Sequence, residues 1–483
     1  MLSILVCHSY FLRLDHKQWA RGKPYPPLAT LQAAAMLRRA GHQVTLFDSM
    51  LAEDQEEYQR LLMRDRPQVV LFYEDTFNFL SKMCLSVMQR AACEMIAAAR
   101  RTGARVIVAG PDVSDRPQPY LAAGADMALK GEGLGALMEL LPRLLSQAGA
   151  PIGELAEGVP GVAFLSHDHV VIRPGGKVLP AAQYAGSAAW DLVDMDHYRS
   201  VWHKAHGYFS LNMVGSRGCS FRCTWCAKPT WGNLYLQRDA KAVAAELVHL
   251  KKTYDPQHIW FADDIFGFRP EWVEEFTAAI DAEGGGIPFS IQTRADLISE
   301  RMARVLKKAG CREAWIGAES GSQRVLDDMN KGTTVAEILT ARRRFQVEGI
   351  RVGFFIQLGY QGEELEDILA TRNLLQTSRP DEIGVSVSYP LPGTKFYELV
   401  KAQLGRKTHW RESNDLDMMF HGTFTSEFYR AVRNLLHDQV SMQGRSEQIS
   451  PALDERWQRL IDEVAQYRSS GTSADSNGLV AAS

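Results

Sequence analysis

The chain has 483 residues, 46% hydrophobic and 23% charged, with 54 basic against 57 acidic side chains and a formal net charge of −3. At roughly 150 residues per domain, this ordinary globular composition suggests about three folded units. The near-neutral balance argues against an extended nucleic-acid-binding surface, which needs a concentrated basic face. No apolar run approaches the roughly 18 residues of a transmembrane helix, and the opening MLSILVC lacks a basic n-region and a cleavage site, so a cytoplasmic location is expected.

Short apolar runs alternate with helical patterns over residues 1–150, which predicts a parallel sheet covered by helices. The strand candidates are Leu2–Cys7, Gln43–Phe47, Val69–Phe72, Arg105–Ala109 and Asp126–Leu129. Between them lie the helix candidates Leu28–Ala40, Gln55–Arg64, part of Ser81–Arg101, and Gly135–Leu145. This count implies a small doubly wound (Rossmann-like) domain, with ligands expected outside the carboxyl ends of its strands. The loops there are Cys7–Pro27, Tyr73–Asn78, Gly110–Ser114 and Lys130–Gly133; their glycines suit either a close ligand approach or plain turn geometry.

Residues 151–204 predict a linker with a small hairpin, Gly161–Ser166 and Val170–Arg173. The His167-Asp168-His169 triplet between them is a polar turn rather than a metal site, since it lacks the rest of a ligand set.

A second series occupies residues 205–400. Its strand candidates are Leu211–Ser216, His258–Ala262, Phe289–Gln292, Glu313–Gly317, Gly353–Leu358 and Ile383–Ser388. Helical stretches such as Ala240–Tyr254, Glu271–Ala282, Ser299–Ala309, Ser322–Met329 and Thr334–Glu348 separate most of them. Six such units predict a partial parallel (β/α)6 barrel with its chemistry at the strand carboxyl ends. A mainly helical region is expected over 401–468. Its segment Thr408–Gln443, with Trp410, Met418, Met419, Phe420 and Phe424, suits either an active-site cover or packed core. The small polar stretch 469–483 reads as a disordered tail.

Seven cysteines are too few for a disulfide scaffold, yet Cys219, Cys223 and Cys226 fall within eight positions, just after the first strand of the second series. Three thiolates on a short loop can hold one corner of an iron–sulfur cube and leave a fourth iron without a protein ligand. A zinc knuckle would want a fourth cysteine or histidine nearby. The loop has none, and Cys311 is remote in sequence.

Cys219-x3-Cys223-x2-Cys226, with Trp225 before the third cysteine, resembles the cluster motif of the radical S-adenosylmethionine (SAM) superfamily. The likeness continues through Phe261-Ala262-Asp263-Asp264-Ile265-Phe266, Gln292-Thr293-Arg294-Ala295-Asp296, Ile316-Gly317-Ala318-Glu319-Ser320-Gly321-Ser322 and Ser388-Tyr389-Pro390-Leu391-Pro392-Gly393-Thr394. Residues 1–150 resemble the cobalamin-binding domain of the subgroup containing cobalamin-dependent methylases and the anaerobic magnesium-protoporphyrin ester cyclase. The matching pieces are Tyr25-Pro26-Pro27-Leu28, Gly41-His42, Val108-Ala109-Gly110-Pro111 and Lys130-Gly131-Glu132-Gly133; Trp190-Asp191-Leu192-Val193 with Tyr198 resembles that subgroup's linker.

The resemblance implies a [4Fe-4S] cluster held by the three cysteines, with SAM on the open iron. One electron from a flavodoxin- or ferredoxin-type donor would then yield a 5′-deoxyadenosyl radical. It further implies SAM contacts from Trp225, Asp263, Asp264, Arg294, Glu319 and Ser320, although the two aspartates also suit turn caps and Arg294 a barrel salt bridge. Gly359-Tyr360-Gln361-Gly362-Glu363 resembles the family's glycine loop, with Gln where Pro is common. Cobalamin contacts are expected from Tyr73, Glu74, Asp75, Thr76, Asn78, Gly110, Pro111, Gly131 and Glu132. The family's Asp-x-His-x-x-Gly is absent from Asp15-His16-Lys17-Gln18, so the expectation is cobalamin without a histidine lower ligand, with His8 and His16 the imidazoles in question. Tyr389, Pro392, Gly393 and Thr394 are expected to border a cavity for a small-molecule or lipid substrate, or simply to form a turn.

Three functions stay open on this basis. They are methyl transfer from methylcobalamin to an unactivated carbon, a radical cyclase, oxidase or rearrangement enzyme without methylation, and a non-catalytic metal- or cobalamin-binding module.

Overall fold

The computed structural model describes every residue except 148, 177, 181–187, 227–229, 444–450 and 469–483; the expected tail lies outside the described residues. Strands β1 (Ser3–Cys7), β2 (Gln43–Phe47), β3 (Val69–Tyr73), β4 (Arg105–Ala109) and β5 (Met127–Leu129) pair in parallel in the order β2-β1-β3-β4-β5. This is a doubly wound order with its switch point between β1 and β3. Such strands read as unbroken apolar runs because both faces are buried. Ile4, Val6, Val69 and Leu71 enter one core, and Leu5, Cys7, Val70 and Phe72 enter the other.

The hairpin of the expected linker is part of this sheet. Strands β6 (Val162–Ser166) and β7 (His169–Ile172) add antiparallel at the β5 edge, through Ala128 opposite Ala163, and make seven strands. His167 and Asp168 have φ of 47° and 64°, the left-handed pair of a two-residue type I′ turn. The helix Met195–His206 then crosses back, and Trp202 Nε1 donates to Pro24 O at 2.6 Å.

In the second series the expected strand Leu211–Ser216 is split at Gly215. Strand β8 (Ser210–Met213) joins the main sheet, while β9 (Ser216–Arg217) pairs antiparallel with β10 (Leu236–Gln237). The sheet continues in chain order through β11 (His258–Phe261), β12 (Phe289–Thr293), β13 (Cys311–Glu319), β14 (Arg351–Leu358) and β15 (Glu382–Val387), every pairing parallel. Among the described residues β8 and β15 do not pair, so the sheet is curled and open.

Residues 404–425 have no helix, contrary to a helical reading of the whole 401–468 region; helices occupy Ser426–Gln443 and Pro451–Asp462. Trp410, Met419, Phe420 and Phe424 are nonetheless buried, because this irregular stretch is packed core. Among the described residues, no helix is long and apolar enough to cross a membrane.

Candidate functional site

The cysteine loop is the connection of the β9–β10 ribbon, which closes it at its base. Gly218 opens the loop with φ of 72°, and a Cβ there would lie 2.4 Å from Leu234 O, so both conformation and crowding demand glycine. The far side is tied to the barrel. Thr224 N and Oγ1 donate to Met329 O at 2.9 and 3.1 Å, Thr224 Oγ1 lies 2.8 Å from Tyr360 OH, and Asn330 Nδ2 donates to Arg222 O at 2.8 Å. Cys219, Cys223 and Cys226 are partly exposed thiols outside any disulfide.

Two cations flank the loop. The Arg294 guanidinium lies 3.7 Å from the centroid of the Phe221 ring, donates to Cys223 Sγ at 3.8 Å and to Asp296 Oδ1 at 2.9 Å, and reaches Lys331 O at 2.6 Å. Lys331 Nζ donates to Glu319 Oε1 at 2.8 Å. Burial would lower the Lys331 pKa, but Glu319 and Cys223 outweigh it and hold the ammonium charged. Nearby cations favour thiolate over thiol. Glu319 ends β13 with φ of 61°, where the pairing with β14 shifts register between Gly317 and Glu319.

Other expected SAM contacts are engaged within the protein. Asp263 accepts from Gly215 N at 3.0 Å and Ser216 Oγ at 2.6 Å, holding β11 to the β8–β9 break; burial pushes its pKa up to about 7 against those hydrogen bonds. Asp264 accepts from Lys82 Nζ at 2.7 Å. Ser320 Oγ lies 3.2 Å from Thr371 Oγ1 and accepts from Ser322 N at 3.1 Å. Trp225 packs against the cluster of Tyr360, Phe396 and Phe420, and its Nε1 is buried without a hydrogen-bond partner.

The residues expected around cobalamin gather at the carboxyl ends of β3, β4 and β5. Tyr73 OH donates to Glu132 O at 2.8 Å, and Glu132 Oε2 accepts from Leu179 N at 2.8 Å. Asp75 Oδ1 accepts from Ala29 N at 3.1 Å, and Asn78 caps the helix Phe79–Met83 through Leu80 N at 3.0 Å. Glu74 Oε2 accepts from Ser9 N at 3.2 Å, and burial pushes its carboxyl up. A Cβ on Gly110 would lie 2.8 Å from Glu74 Cβ, so that glycine serves the packing of two strand ends. Pro111 begins the helix after β4, and Gly131 N donates to Ser114 Oγ at 2.9 Å. Thr76 Oγ1 is buried without a partner at this edge. His8 is buried, with Nε2 2.9 Å from Asp48 Oδ1 and Nδ1 3.1 Å from Ser49 Oγ, and His16 Nδ1 lies 3.0 Å from Glu412 Oε2.

Tyr389 OH donates to Met83 O at 3.3 Å, and its ring meets Trp410 edge-on at 4.9 Å. Thr394 caps the helix Lys395–Val400, accepting from Tyr397 N at 2.9 Å, while Gly393 has φ of 76°.

The donor set suits an iron–sulfur cube. Iron–sulfur clusters are held by cysteine sulfur, and the loop offers three such sulfurs, all partly exposed. The orphaned Thr76 hydroxyl and the polar strand ends likewise suit a large polar cofactor above the first sheet. Nothing local in the sequence marks Lys82 or Lys331, whose importance arises from contacts with distant segments.

Residues 213–375 match the radical SAM superfamily. The chain is 26% identical over 412 residues to an uncharacterized methyltransferase of Pyrococcus horikoshii, covering 84% of this chain and 85% of that protein. It is 25% identical to the hopanoid C-3 methylase of Methylococcus capsulatus, covering 83% and 72%. The structure of the radical SAM methyltransferase TsrM from Kitasatospora setae, with cobalamin and a [4Fe-4S] cluster bound, shares this fold at a TM-score of 0.67 and 19% identity, covering 83% of this chain and 74% of that one. The chain thus contains a radical SAM domain, and it shares the overall fold of a cobalamin-bound radical SAM methyltransferase.

Proposed function

We infer that the protein is a cobalamin-dependent radical SAM enzyme that transfers a methyl group to an unactivated carbon of a small-molecule or lipid substrate. The observation that carries this reading is a loop of three partly exposed thiols with Arg294 and Lys331 beside Cys223 and Lys82 beside Cys226, where a barrel's strand ends meet those of a doubly wound domain. When bound, the cluster supplies the electron that cleaves SAM, and cobalamin supplies the methyl group.

Cys219, Cys223 and Cys226 would hold the cluster. Arg294 and Lys331 keep positive charge against the Cys223 sulfur, and the Phe221 ring fixes the guanidinium plane. Trp225, Asp264, Glu319 and Ser320 would contact SAM, with Asp263 bracing the β11 end through Gly215 N and Ser216 Oγ. On the facing domain, Tyr73, Glu74, Asp75, Thr76, Asn78, Gly110, Pro111, Gly131 and Glu132 would form the cobalamin floor. His8 and His16 are already engaged by Asp48, Ser49 and Glu412, which supports cobalamin held without a histidine lower ligand. A flavodoxin- or ferredoxin-type protein in the cytoplasm would deliver the electron.

The test is anaerobic reconstitution with iron, sulfide and hydroxocobalamin, followed by mass spectrometry of the products of SAM. Release of both 5′-deoxyadenosine and S-adenosylhomocysteine is expected. Deoxyadenosine alone would assign non-methylating radical chemistry, and tetrahedral zinc at the three cysteines would overturn both.

A further inference from the structure

Away from the cysteine loop, the described residues bring a second set of metal-type donors together. Cys84 ends the helix Phe79–Met83, Asp112 lies in the helix Pro111–Asp115 after β4, and His409 belongs to the irregular C-terminal segment; one ligand atom from each lies within 4.8 Å of the others. All three are buried, at 8%, 9% and 7% exposure. An Asp112–His409 ion pair would explain two of these side chains, while the Cys84 thiol beside them has only long contacts, 3.7 Å to Tyr120 OH and 3.9 Å to Leu85 O.

The surrounding hydrogen bonds orient the set as outer contacts orient metal ligands. His409 Nε2 lies 2.9 Å from Asp112 Oδ1, while Nδ1 lies 3.0 Å from Thr408 Oγ1, so one ring nitrogen is held by a hydroxyl and the other faces the carboxylate. The second carboxylate oxygen accepts from Tyr120 OH at 2.8 Å and Gln89 Nε2 at 2.9 Å. Arg116 Nη1 is 3.0 and 3.4 Å from the two ring nitrogens and donates to Thr408 O at 3.1 Å, which places it beside both nitrogens rather than committed to one.

A separate observation points to a ligand. The Ser81 hydroxyl is buried without a hydrogen-bond partner, and Ser81 lines a cavity together with Cys84, Asp112 and Tyr120. A buried hydroxyl facing such a space is costly unless something there accepts or donates to it.

We propose that Cys84, Asp112 and His409 bind a divalent zinc-class ion whose fourth position opens to this cavity and is taken by water held by Ser81. A thiolate, a carboxylate and a neutral imidazole together cancel the charge of a divalent cation, which a buried site requires. Sulfur and nitrogen donors exclude the hard, all-oxygen preference of calcium and magnesium. The ion fastens the C-terminal segment to the N-terminal domain, joining residues 297 positions apart.

Zinc binding is measured on the full-length C219A/C223A/C226A variant, whose loop cannot take metal, and on iron-loaded wild type, whose loop is filled. Both should retain zinc equimolar with protein after dialysis, and cobalt in its place should give a thiolate charge-transfer absorption. Adding C84S should abolish that absorption, and H409N should weaken binding by at least about tenfold, the scale at which even outer contacts act. Absence of zinc from both parent proteins, or undiminished binding after C84S and H409N, overturns the proposal. The first of these outcomes needs no substitution in the cluster, so misfolding of a variant does not shelter it.

Discussion

Lys82 Nζ donates to Asp264 Oδ1 at 2.7 Å, and through that contact a helix carried by the first domain touches the end of β11 beside the cysteine loop. Trp231, whose ring lies 5.8 Å from the same ammonium, stacks on Phe77 at 5.3 Å, so the junction is apolar on one side and ionic on the other. Lys82 stays charged because Asp264, Cys226 and Asp75 outweigh its burial.

Opposite charges beside a redox centre shift its potential in opposite directions. K82M should make reduction of the reconstituted, SAM-free cluster harder, and D264N should make it easier. A redox titration followed by electron paramagnetic resonance reads both; shifts of the same sign would mean that the pair acts only as a structural tie.

Lys331 and Glu319 form a buried pair, at 7% and 6% side-chain exposure. K331M leaves the Glu319 carboxylate unpaired in the interior and should cost about 3–5 kcal/mol. K331M/E319Q should recover part of that loss, since the two substitutions are not additive. Urea unfolding of the three proteins, followed by tryptophan fluorescence, gives the comparison.

The pH dependence expected of Asp263 has a definite sign. Its pKa in the fold is raised to about 7 by burial, above its ordinary value near 3.8. Between those values the folded chain holds a proton that the unfolded chain has released, so stability falls as pH rises through the window and levels off above it. The thermal midpoint of wild type relative to D263N should therefore decline from about pH 4 to about pH 7. A difference that grows over that range would show that the carboxylate is favoured in the fold.

Gly321 lies in a motif expected to meet SAM, yet its constraint is packing. A Cβ there would lie 2.2 Å from Ala370 O and 2.6 Å from Thr371 Cα, both backbone atoms that cannot swing away. G321A should destabilise the barrel by about 1–3 kcal/mol or more, the cost of overpacking. G405A, where the added methyl meets nothing within 4 Å, should leave the thermal midpoint unchanged within error.

The strands of both sheets were legible because burial on two faces writes an apolar run into each, and the cysteine loop because its ligands lie within one short stretch of chain. The β8–β9 break was not legible: apolar character continues through Val214, while Gly215 yields its N–H to Asp263 from the neighbouring strand. Nor was the inclusion of the hairpin in the first sheet, since its pairing with β5 depends on an edge left open by four other strands.

The sequence by itself determined the alternation of strands and helices, the turn at His167-Asp168 and the spacing of three thiols, because each depends on neighbours along the chain. Only the tertiary structure decided which charges face those thiols and which polar residues are spent on holding the fold. Lys82 and Asp264 stand 182 positions apart, and the chain brings them together only when burial of the surrounding apolar surface outweighs the entropy of closing so long a loop.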